Sequence, residues 1–216
     1  MDLYEAMRCA PTSRRFKSDP VPREALLRAL DAARFAPSGG NRQGWRVVAV
    51  EDAAARARLA ELYLPQWRSY IERMGAAAVL AQGADAEPRV RRTLGAADEY
   101  AQRLAEVPLH LVVGVRLADV LVTDERLARQ SIVGGASVYP FVQNLLLALR
   151  AEGLGAALTT LLVPEEEEVR RLLGMPPEIA LACHIGVGYR VDDWPTRLTR
   201  APVSGFAFLD RWGNAL

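Results

Sequence analysis

The sequence predicts a domain of the α+β class. Helical and strand-like segments alternate along the 216 residues, but their spacing is irregular, which disfavours a doubly wound parallel sheet. Half of the residues are hydrophobic and a quarter are charged, a composition typical of a folded globular domain. We therefore expect a single domain over residues 1–216, with residues 65–106 forming a helical cap.

Composition also narrows the class of function. The 27 basic and 26 acidic residues leave a net charge of +1, which disfavours general polyanion binding, so no nucleic-acid partner is expected. Cys9 and Cys183 are too far apart for a CxxC pair, and His110 and His184 are isolated, so no metal site is predicted. Neither a secretory signal nor an apolar run of roughly 20 residues is present, so we expect a cytoplasmic protein without a membrane span.

Helix-breaking residues and the periodicity of hydrophobic residues predict the secondary-structure elements in the first half of the chain. Pro11 ends a short helix, and Pro22 opens a helix in which Leu26 and Leu30 share one face. Weak turn signals near Gly83 and Gly95 divide the cap into two helices. The predicted elements are helices at 2–9 and 23–35, a strand at 45–50, a helix from 53 to about 62, and the cap at 65–106.

The second half alternates apolar strands with helices. An apolar helix over 137–152 ends at Gly153, as helices with a C′ glycine do. Pro164 opens another helix, whose acidic first turn and basic end match the macrodipole. The predicted strands lie at 109–115, 155–162 and 179–189, and 124–131 is a short helix or a loop. The tail, 190–216, is too hydrophobic to be disordered and needs a surface to pack on.

Two N-terminal segments have compositions that packing alone does not explain. Arg8 and the stretch 12–16 combine guanidinium groups with hydroxyls, which suits a phosphate monoester, although a solvated basic loop is the alternative. In the stretch 36–45, glycines allow close backbone approach, and Asn41 and Gln43 carry both donors and acceptors. That pattern suits a flat heterocycle, and a simple helix-to-strand turn is the alternative.

Two C-terminal segments add to this pattern. The stretch 153–160 begins like a dinucleotide fingerprint, but its glycines follow a helix and lead into a strand, so that motif is rejected. Its last residues, Thr159 and Thr160, could instead present backbone N–H groups to a ring edge. The stretch 197–200 offers a second phosphate clamp.

Together these segments resemble the nitroreductase family of FMN-dependent NAD(P)H oxidoreductases, and the resemblance covers nearly the whole chain. Residues 35–45 look especially like an actinobacterial-type branch. The matching positions are Thr12 to Phe16 with Pro20 and Pro22; Ala36, Pro37, Ser38, Asn41, Gln43 and Trp45; Gln143 and Asn144; Gly153 to Gly155; Ile185 to Tyr189; and Arg200.

The resemblance implies a nitroreductase-like fold with a central, mostly antiparallel sheet between helices. It also implies an intertwined homodimer in which the C-terminal tail wraps the partner subunit. FMN would lie at the dimer interface, and NAD(P)H would be the cosubstrate. Because the flavin performs the chemistry in this family, no catalytic side chain is expected.

Site residues are carried over position by position. Arg14 and Arg200 match phosphate contacts, and Thr12 matches a hydroxyl position beside them. Arg8 substitutes for a family basic residue that is Ala10 here. Cofactor-binding positions at the flavin ring are Pro37, Ser38, Gly39, Asn41 and the neighbouring Gln43, which reach the flavin from the other subunit, and Thr159, Thr160 and Leu161 at its N5 edge.

The expected function is hydride transfer from NAD(P)H through flavin N5 to a small-molecule electron acceptor, such as a nitroaromatic or a quinone. One alternative is a non-catalytic FMN-binding or storage protein in which the cap covers the flavin. Another keeps the fold but changes the reaction to flavin fragmentation or reductive dehalogenation. Within the cap, Arg68, Tyr70 and Arg73 are acceptor-pocket candidates by position alone.

Overall fold

A four-stranded antiparallel sheet forms the centre of the computed structural model, which describes residues 1–82 and 87–216. The strand order is β1-β2-β4-β3, and every neighbouring pair is antiparallel. The strands are β1 (Trp45–Val50), β2 (Leu109–Arg116), β3 (Gly155–Thr159) and β4 (Ile179–Gly188). This arrangement confirms the predicted α+β class and places β3 at one edge of the sheet.

Helices cover both faces of the sheet. Within the described residues they are α1 (Leu3–Cys9), α2 (Arg23–Ala33), α3 (Ala53–Arg73), α4 (Ala76–Gln82), α5 (Pro88–Gln102), α6 (Tyr139–Ala151) and α7 (Glu166–Leu173). Helices α2 and α6 pack on one face, with Ala29 and Leu145 buried there. Helices α3, α5 and α7 pack on the other face, with Leu59 and Val169 buried there.

Side-chain alternation along the strands explains the two cores. In β2, Leu111 and Val113 belong to the core with α2 and α6, whereas Val112 between them belongs to the core with α3. Successive side chains of a strand point to opposite faces. A central strand covered on both faces therefore consists almost entirely of buried residues, as the burial of Leu109 to Val115 shows.

Helix α3 is longer than the sequence predicted. The prediction ended it near Leu62, but it runs through Pro65 to Arg73. Pro65 cannot donate a helical hydrogen bond, yet Trp67 and Ile71 continue the buried stripe begun by Tyr63. Apolar burial on both sides of the proline outweighs the lost bond.

The cap therefore consists of the end of α3 together with α4 and α5, three helical segments rather than two. Gly95 lies inside α5, so the turn predicted there is wrong. The turn predicted near Gly83 falls outside the described residues. Below the cap, Arg56 Nη1 donates to the Ala105 and Val107 carbonyls at 3.1 and 2.7 Å and holds the chain where it returns to the sheet.

Local hydrogen bonds define two further segments. β3 was predicted to reach residue 162 but ends at Thr159, because the Leu161 amide donates to Thr159 Oγ1 at 3.2 Å and turns the chain. Residues 124–131 form turns, the loop of the two predicted alternatives. The buried Asp124 carboxylate there accepts hydrogen bonds from the Ile132 amide and the Ser131 hydroxyl. These two bonds, more than the neighbouring Arg129 guanidinium, hold the pKa of Asp124 below its usual range.

The two histidines form a buried pair in the core, so both have a structural role. His110 Nε2 lies 3.0 Å from the Leu104 carbonyl, and His184 Nε2 lies 3.0 Å from His110 Nδ1. A carbonyl only accepts, so His110 carries its proton on Nε2 and His184 donates to His110. Both rings are neutral, and burial lowers the pKa of each.

None of the helices in residues 1–82 and 87–216 combines the length and the apolar character that crossing a membrane requires. In the same residues, no group of three or more His, Cys, Asp or Glu side chains could hold a metal ion.

Candidate functional site

Two cavities meet at the outer edge of β3. The aromatic cavity, of about 270 Å³, lies between the cap and β3 and is lined by Tyr63, Trp67, Tyr70, Tyr100, Arg14 and the stretch 157–161. The basic cavity, of about 350 Å³, is lined by Arg150, Arg200, Trp194 and residues of α1 and α6. Thr12 and Leu158 line both cavities, so the two lie side by side at the sheet edge, and we refer to them together as the groove.

The N-terminal loop reaches this groove because it pairs with β3. Thr12 bridges Ala156 in parallel, and the Ser13 amide donates to the Ala156 carbonyl at 2.8 Å. Gly155 permits this approach, since a Cβ there would lie 2.7 Å from Ser13 Oγ. The loop thereby places Thr12 and Arg14 at the groove.

Backbone groups of β3 also face the groove. The Ala156 carbonyl points outward to the loop, and the direction of the backbone groups alternates along a strand. The backbone N–H and C=O of Leu158, two residues further along the strand, therefore face the groove. The backbone groups of Thr159, which is paired with His184, face β4 instead. At Thr159 the side chain, rather than the backbone, reaches the aromatic cavity: its Oγ1 accepts from the Tyr63 hydroxyl at 3.4 Å.

The hydroxyls of Tyr63 and Tyr100 in the aromatic cavity are neutral, and of the two only that of Tyr63 has a hydrogen-bond partner among the described residues. Burial raises the pKa of Tyr63, opposed by the hydrogen bond to Thr159 and by the Arg14 charge. Burial, reinforced by Tyr63 and opposed by Arg14, raises the pKa of Tyr100 further. Around these donors the cavity wall is aromatic, with the Trp67 and Tyr70 rings 6.0 Å apart.

Charge is unbalanced at the groove. Across residues 1–82 and 87–216, no carboxylate oxygen lies within 4.0 Å of the guanidinium groups of Arg14, Arg150 or Arg200. By contrast, Arg28 is 2.6 Å from Glu152 on the nearby surface. Unpaired guanidinium groups in a half-enclosed cavity favour an anionic ligand.

A third cavity, of about 140 Å³, is also lined by Arg14, but most of its charges are compensated. Its other charged lining residues are Arg15 and Arg103 with Glu99 and Glu106. Arg103 pairs with both glutamates, and Arg15 lies 4.0 Å from Glu99. Among the described residues, Arg14 is the one cation of this cavity without a carboxylate within 4.0 Å, whereas the basic cavity has two, Arg150 and Arg200, so we place the ligand site in the groove.

The structure distributes the predicted site residues unevenly. Thr159, Thr160 and Leu161 line the aromatic cavity, and Arg200 lines the basic cavity. Arg14 lines the aromatic cavity and the third cavity, and its contact with a phosphate stays a prediction. Arg8 lies with Arg200 in an open depression beside the basic cavity, where its carbonyl accepts from the Leu198 amide at 2.8 Å.

The stretch 36–43 does not reach the groove of its own chain. Pro37, Gly39, Asn41 and Gln43 are exposed beside the start of β1, and Ser38 is half-buried. Asn41 and Gln43 adopt left-handed φ values of 53° and 50°. Such values are uncommon for residues other than glycine, and they concentrate at functional sites.

This stretch is nevertheless well defined. Ser38 Oγ accepts from the Gln43 amide at 3.0 Å, and the Gly39 amide donates to Ser137 Oγ at 3.0 Å. The Gln43 side-chain amide donates to Asn41 Oδ1 at 3.2 Å. These bonds hold the backbone in its strained shape while leaving the segment open to solvent.

Sequence reasoning missed several groove residues. Tyr63, Trp67 and Tyr100 are part of regular buried helical stripes, so nothing in their spacing separates a cavity wall from core. Arg150, in the last turn of α6, matches an ordinary helix-end cation. Of the cap candidates named by position, Tyr70 lines the aromatic cavity, and Arg68 and Arg73 do not.

Comparison with known proteins shows the family to which the chain belongs. The sequence model described as the nitroreductase family matches residues 11–189. A Thermus thermophilus protein named NADH dehydrogenase is 32% identical over 181 residues, which cover 83% of this chain and 82% of that protein. The iodotyrosine deiodinase of Thermotoga neapolitana is 31% identical, over 89% of this chain and 91% of the relative.

Solved structures give the same result. An oxidised iodotyrosine deiodinase bound to FMN and 3-iodo-L-tyrosine superposes with a TM-score of 0.69 at 28% identity, covering 99% of this chain and 100% of that one. An FMN-dependent nitroreductase from Mycobacterium smegmatis in complex with NADPH shares the fold with a TM-score of 0.67 at 23% identity, covering 97% and 100%. The chain belongs to the nitroreductase family. The actinobacterial-type branch stays a prediction.

Proposed function

We propose that this protein is an FMN-dependent oxidoreductase that passes reducing equivalents from NAD(P)H to an electron acceptor such as a nitroaromatic or a quinone. The shape and charge of the groove carry the proposal: an aromatic end that also holds Arg14, backbone groups in the middle, and the two unpaired guanidinium groups of Arg150 and Arg200 at the other end. FMN has the same order of parts, a flat ring, a polyol and a phosphate. Its presence in a deiodinase structure of the same fold supports the assignment.

The residues divide along the groove accordingly. Thr12 and Arg200, at the basic end, would hold the phosphate. Leu158, Thr160 and Leu161 would meet the ring edge from β3 and the turn that follows.

Bound there, FMN would supply the transfer of a hydride between a nicotinamide and a second substrate. The chain's own contribution is positioning and electrostatics. Arg14 places positive charge at the aromatic end, where it stabilises negative charge on a bound ligand. Trp67 and Tyr70 offer an aromatic wall for a planar substrate, and Tyr70 is 39% exposed, so the cavity opens to solvent there.

We also propose a homodimer whose two sites are completed in trans. The C-terminal tail leaves large apolar side chains in solvent in the single chain, with Trp212 91% exposed. The strained stretch 36–43 is outside the groove of its own chain. A second copy that packs against the tail and brings this stretch to the groove accounts for both observations.

Two other functions share this site. Storage of FMN without turnover would need the cap to close over the ring, and the exposed Tyr70 gives it no support. Reductive dehalogenation is favoured by a specific observation, the 31% identity to an iodotyrosine deiodinase over nearly the whole of both chains. Under that alternative, the aromatic cavity would take a halogenated aromatic ring.

The deciding experiment is the visible spectrum of the purified protein under anaerobic conditions, before and after NADPH and then NADH. We expect a yellow protein that bleaches with at least one nucleotide and recovers its colour when a nitroaromatic or a quinone is added. Recovery with 3-iodotyrosine, together with release of iodide, would favour dehalogenation. A yellow protein that never bleaches would support storage, and failure to bind added FMN would overturn the assignment.

A paired substitution tests the placement of the cofactor. In the double variant R14A/R200A, one guanidinium is lost from each end of the groove, so we expect the affinity for FMN to fall by about a hundredfold or more. Equilibrium titration of the apoprotein, followed by quenching of flavin fluorescence, measures it. An unchanged affinity would contradict the roles given to both arginines.

A further inference from the structure

Arg150 is a groove residue that is not among the positions by which the sequence resembles the family. It lies in the last turn of α6, half-buried, and lines the basic cavity with Thr12, Trp194 and Arg200. Its Nε atom is buried, and no described residue accepts a hydrogen bond from it. A buried donor without an acceptor is costly unless a ligand supplies one.

Trp194 holds this guanidinium in place. Arg150 Cζ lies 3.8 Å from the centroid of the Trp194 ring, a cation–π contact. Arg190 Cζ lies 4.9 Å from the same ring, so two cations share one aromatic side chain. The tail residue Trp194 thus connects the end of α6 to the end of β4.

The two cations differ in their free donors. Arg190 donates to Ser13 Oγ at 2.7 Å and to the Asp193 carbonyl at 3.1 Å. Burial, opposed by Asp192 and reinforced by the Arg150 charge, lowers the pKa of Arg190. Arg150, with no carboxylate of the described residues within 4.0 Å, is therefore the guanidinium whose charge and donors remain for a ligand.

We propose that Arg150 is a specificity-determining residue that selects the phosphorylated form of the flavin, and that Trp194 positions it. The inference rests on the proposed FMN function and adds to it a phosphate ligand from α6. A phosphate monoester matches the site because it only accepts hydrogen bonds and carries about two negative charges. A neutral polyol would leave the charges of Arg150 and Arg200 uncompensated.

The test compares FMN with riboflavin, which has the same ring and polyol but no phosphate. Apoprotein of the wild type and of the R150Q variant is titrated with each flavin. In R150Q we expect FMN affinity to fall by about tenfold to a hundredfold, the loss of a hydrogen bond to a charged group, with riboflavin affinity changed less than about twofold. Unchanged riboflavin binding also shows that the variant is folded.

R28Q is the matched control. Arg28, on the neighbouring α2, is exposed and bonded to Glu152, so its loss removes the same charge without touching the cavity. We expect its preference for FMN to equal that of the wild type. A drop in R28Q as large as that in R150Q would mean that only long-range charge matters, and would overturn the proposal.

The remaining outcomes separate this proposal from the function beneath it. If R150Q keeps the wild-type ratio of FMN to riboflavin affinity, or loses both affinities equally, Arg150 does not select the phosphate. If the wild type binds neither flavin, or binds riboflavin as tightly as FMN, the result contradicts the proposed placement of the cofactor itself.

Substitution of Trp194 tests the positioning role. W194L removes the ring from Arg150, so we expect the ratio of FMN to riboflavin affinity to fall part of the way towards that of R150Q. W194F keeps an aromatic face and should restore most of the ratio. Equal ratios in W194L and the wild type would contradict a positioning role for the indole.

Discussion

At the scale of single residues, the His110–His184 pair links the core to pH. Burial lowers the pKa of His110 from 6.5 to about 4. The unfolded chain then binds protons more tightly than the native one, so the free energy of unfolding falls as the pH drops from about 6.5 to about 4. The contribution of His110 alone is about 3 kcal/mol across that window.

Urea unfolding at pH 7.5, 6.5, 5.5 and 4.5 measures this loss. Carboxylates also titrate at the acid end, so the wild type is compared with the H110L/H184L double variant, which lacks both imidazoles. The wild type should lose stability more steeply between pH 6.5 and 4.5. Parallel pH profiles for the two proteins would contradict the assignment.

A second prediction concerns Gly186, over which the Tyr100 ring is packed. A Cβ at this position would lie 2.3 Å from Tyr100 Oη. G186A should therefore lower the free energy of unfolding by about 1–3 kcal/mol through overpacking. Because the clash is with the hydroxyl oxygen, Y100F should recover much of the loss in the G186A/Y100F double variant.

Gly95 provides the control for that prediction. It lies in α5, and a Cβ there would meet nothing within 4 Å. G95A should raise the free energy of unfolding by up to about 1 kcal/mol through helix propensity alone. Chemical denaturation of the three variants gives the values, and a G186A protein as stable as the wild type would contradict the packing described.

At the scale of elements, Pro65 in the middle of α3 yields a further prediction. P65A restores a helical amide donor but makes the unfolded chain more flexible, so the net gain should be about 1–2 kcal/mol. P164A, in the first turn before α7 where proline is favourable, should be neutral or slightly destabilising. Urea midpoints distinguish the two, and a destabilised P65A would show that the proline is required there.

The sequence predicts an element well when residues close in sequence define it, and less well when contacts with distant segments define it. Strand β1 was predicted with its observed ends, because turn residues and an apolar run define it locally. The length of α3 was underestimated, since the burial of Trp67 and Ile71 against distant segments outweighs a local breaker. The segments of the groove were predicted from motif residues, but Tyr63, Tyr100 and Arg150 were not, because only tertiary contacts distinguish them from core or surface.

At the scale of the whole molecule, the exposed tail predicts association. If the tail packs on a second copy, the F206S/W212S variant should shift towards monomer in light scattering coupled to size exclusion. FMN affinity should fall with it, since each site would lose its contribution in trans. M74S, which removes from the cap an apolar side chain about as exposed as Phe206, is the control and should leave the mass unchanged. A wild-type monomer would contradict the homodimer.

The edge position of β3 has a consequence for the handling of the protein without its ligand. The loop bridges the strand at Ala156, while the Leu158 backbone faces an open groove. Open strand edges recruit other strands and lead to aggregation. A ligand lying across Leu158 would therefore also cover the open edge of the sheet. The apoprotein should aggregate on storage, and the liganded protein should remain in solution.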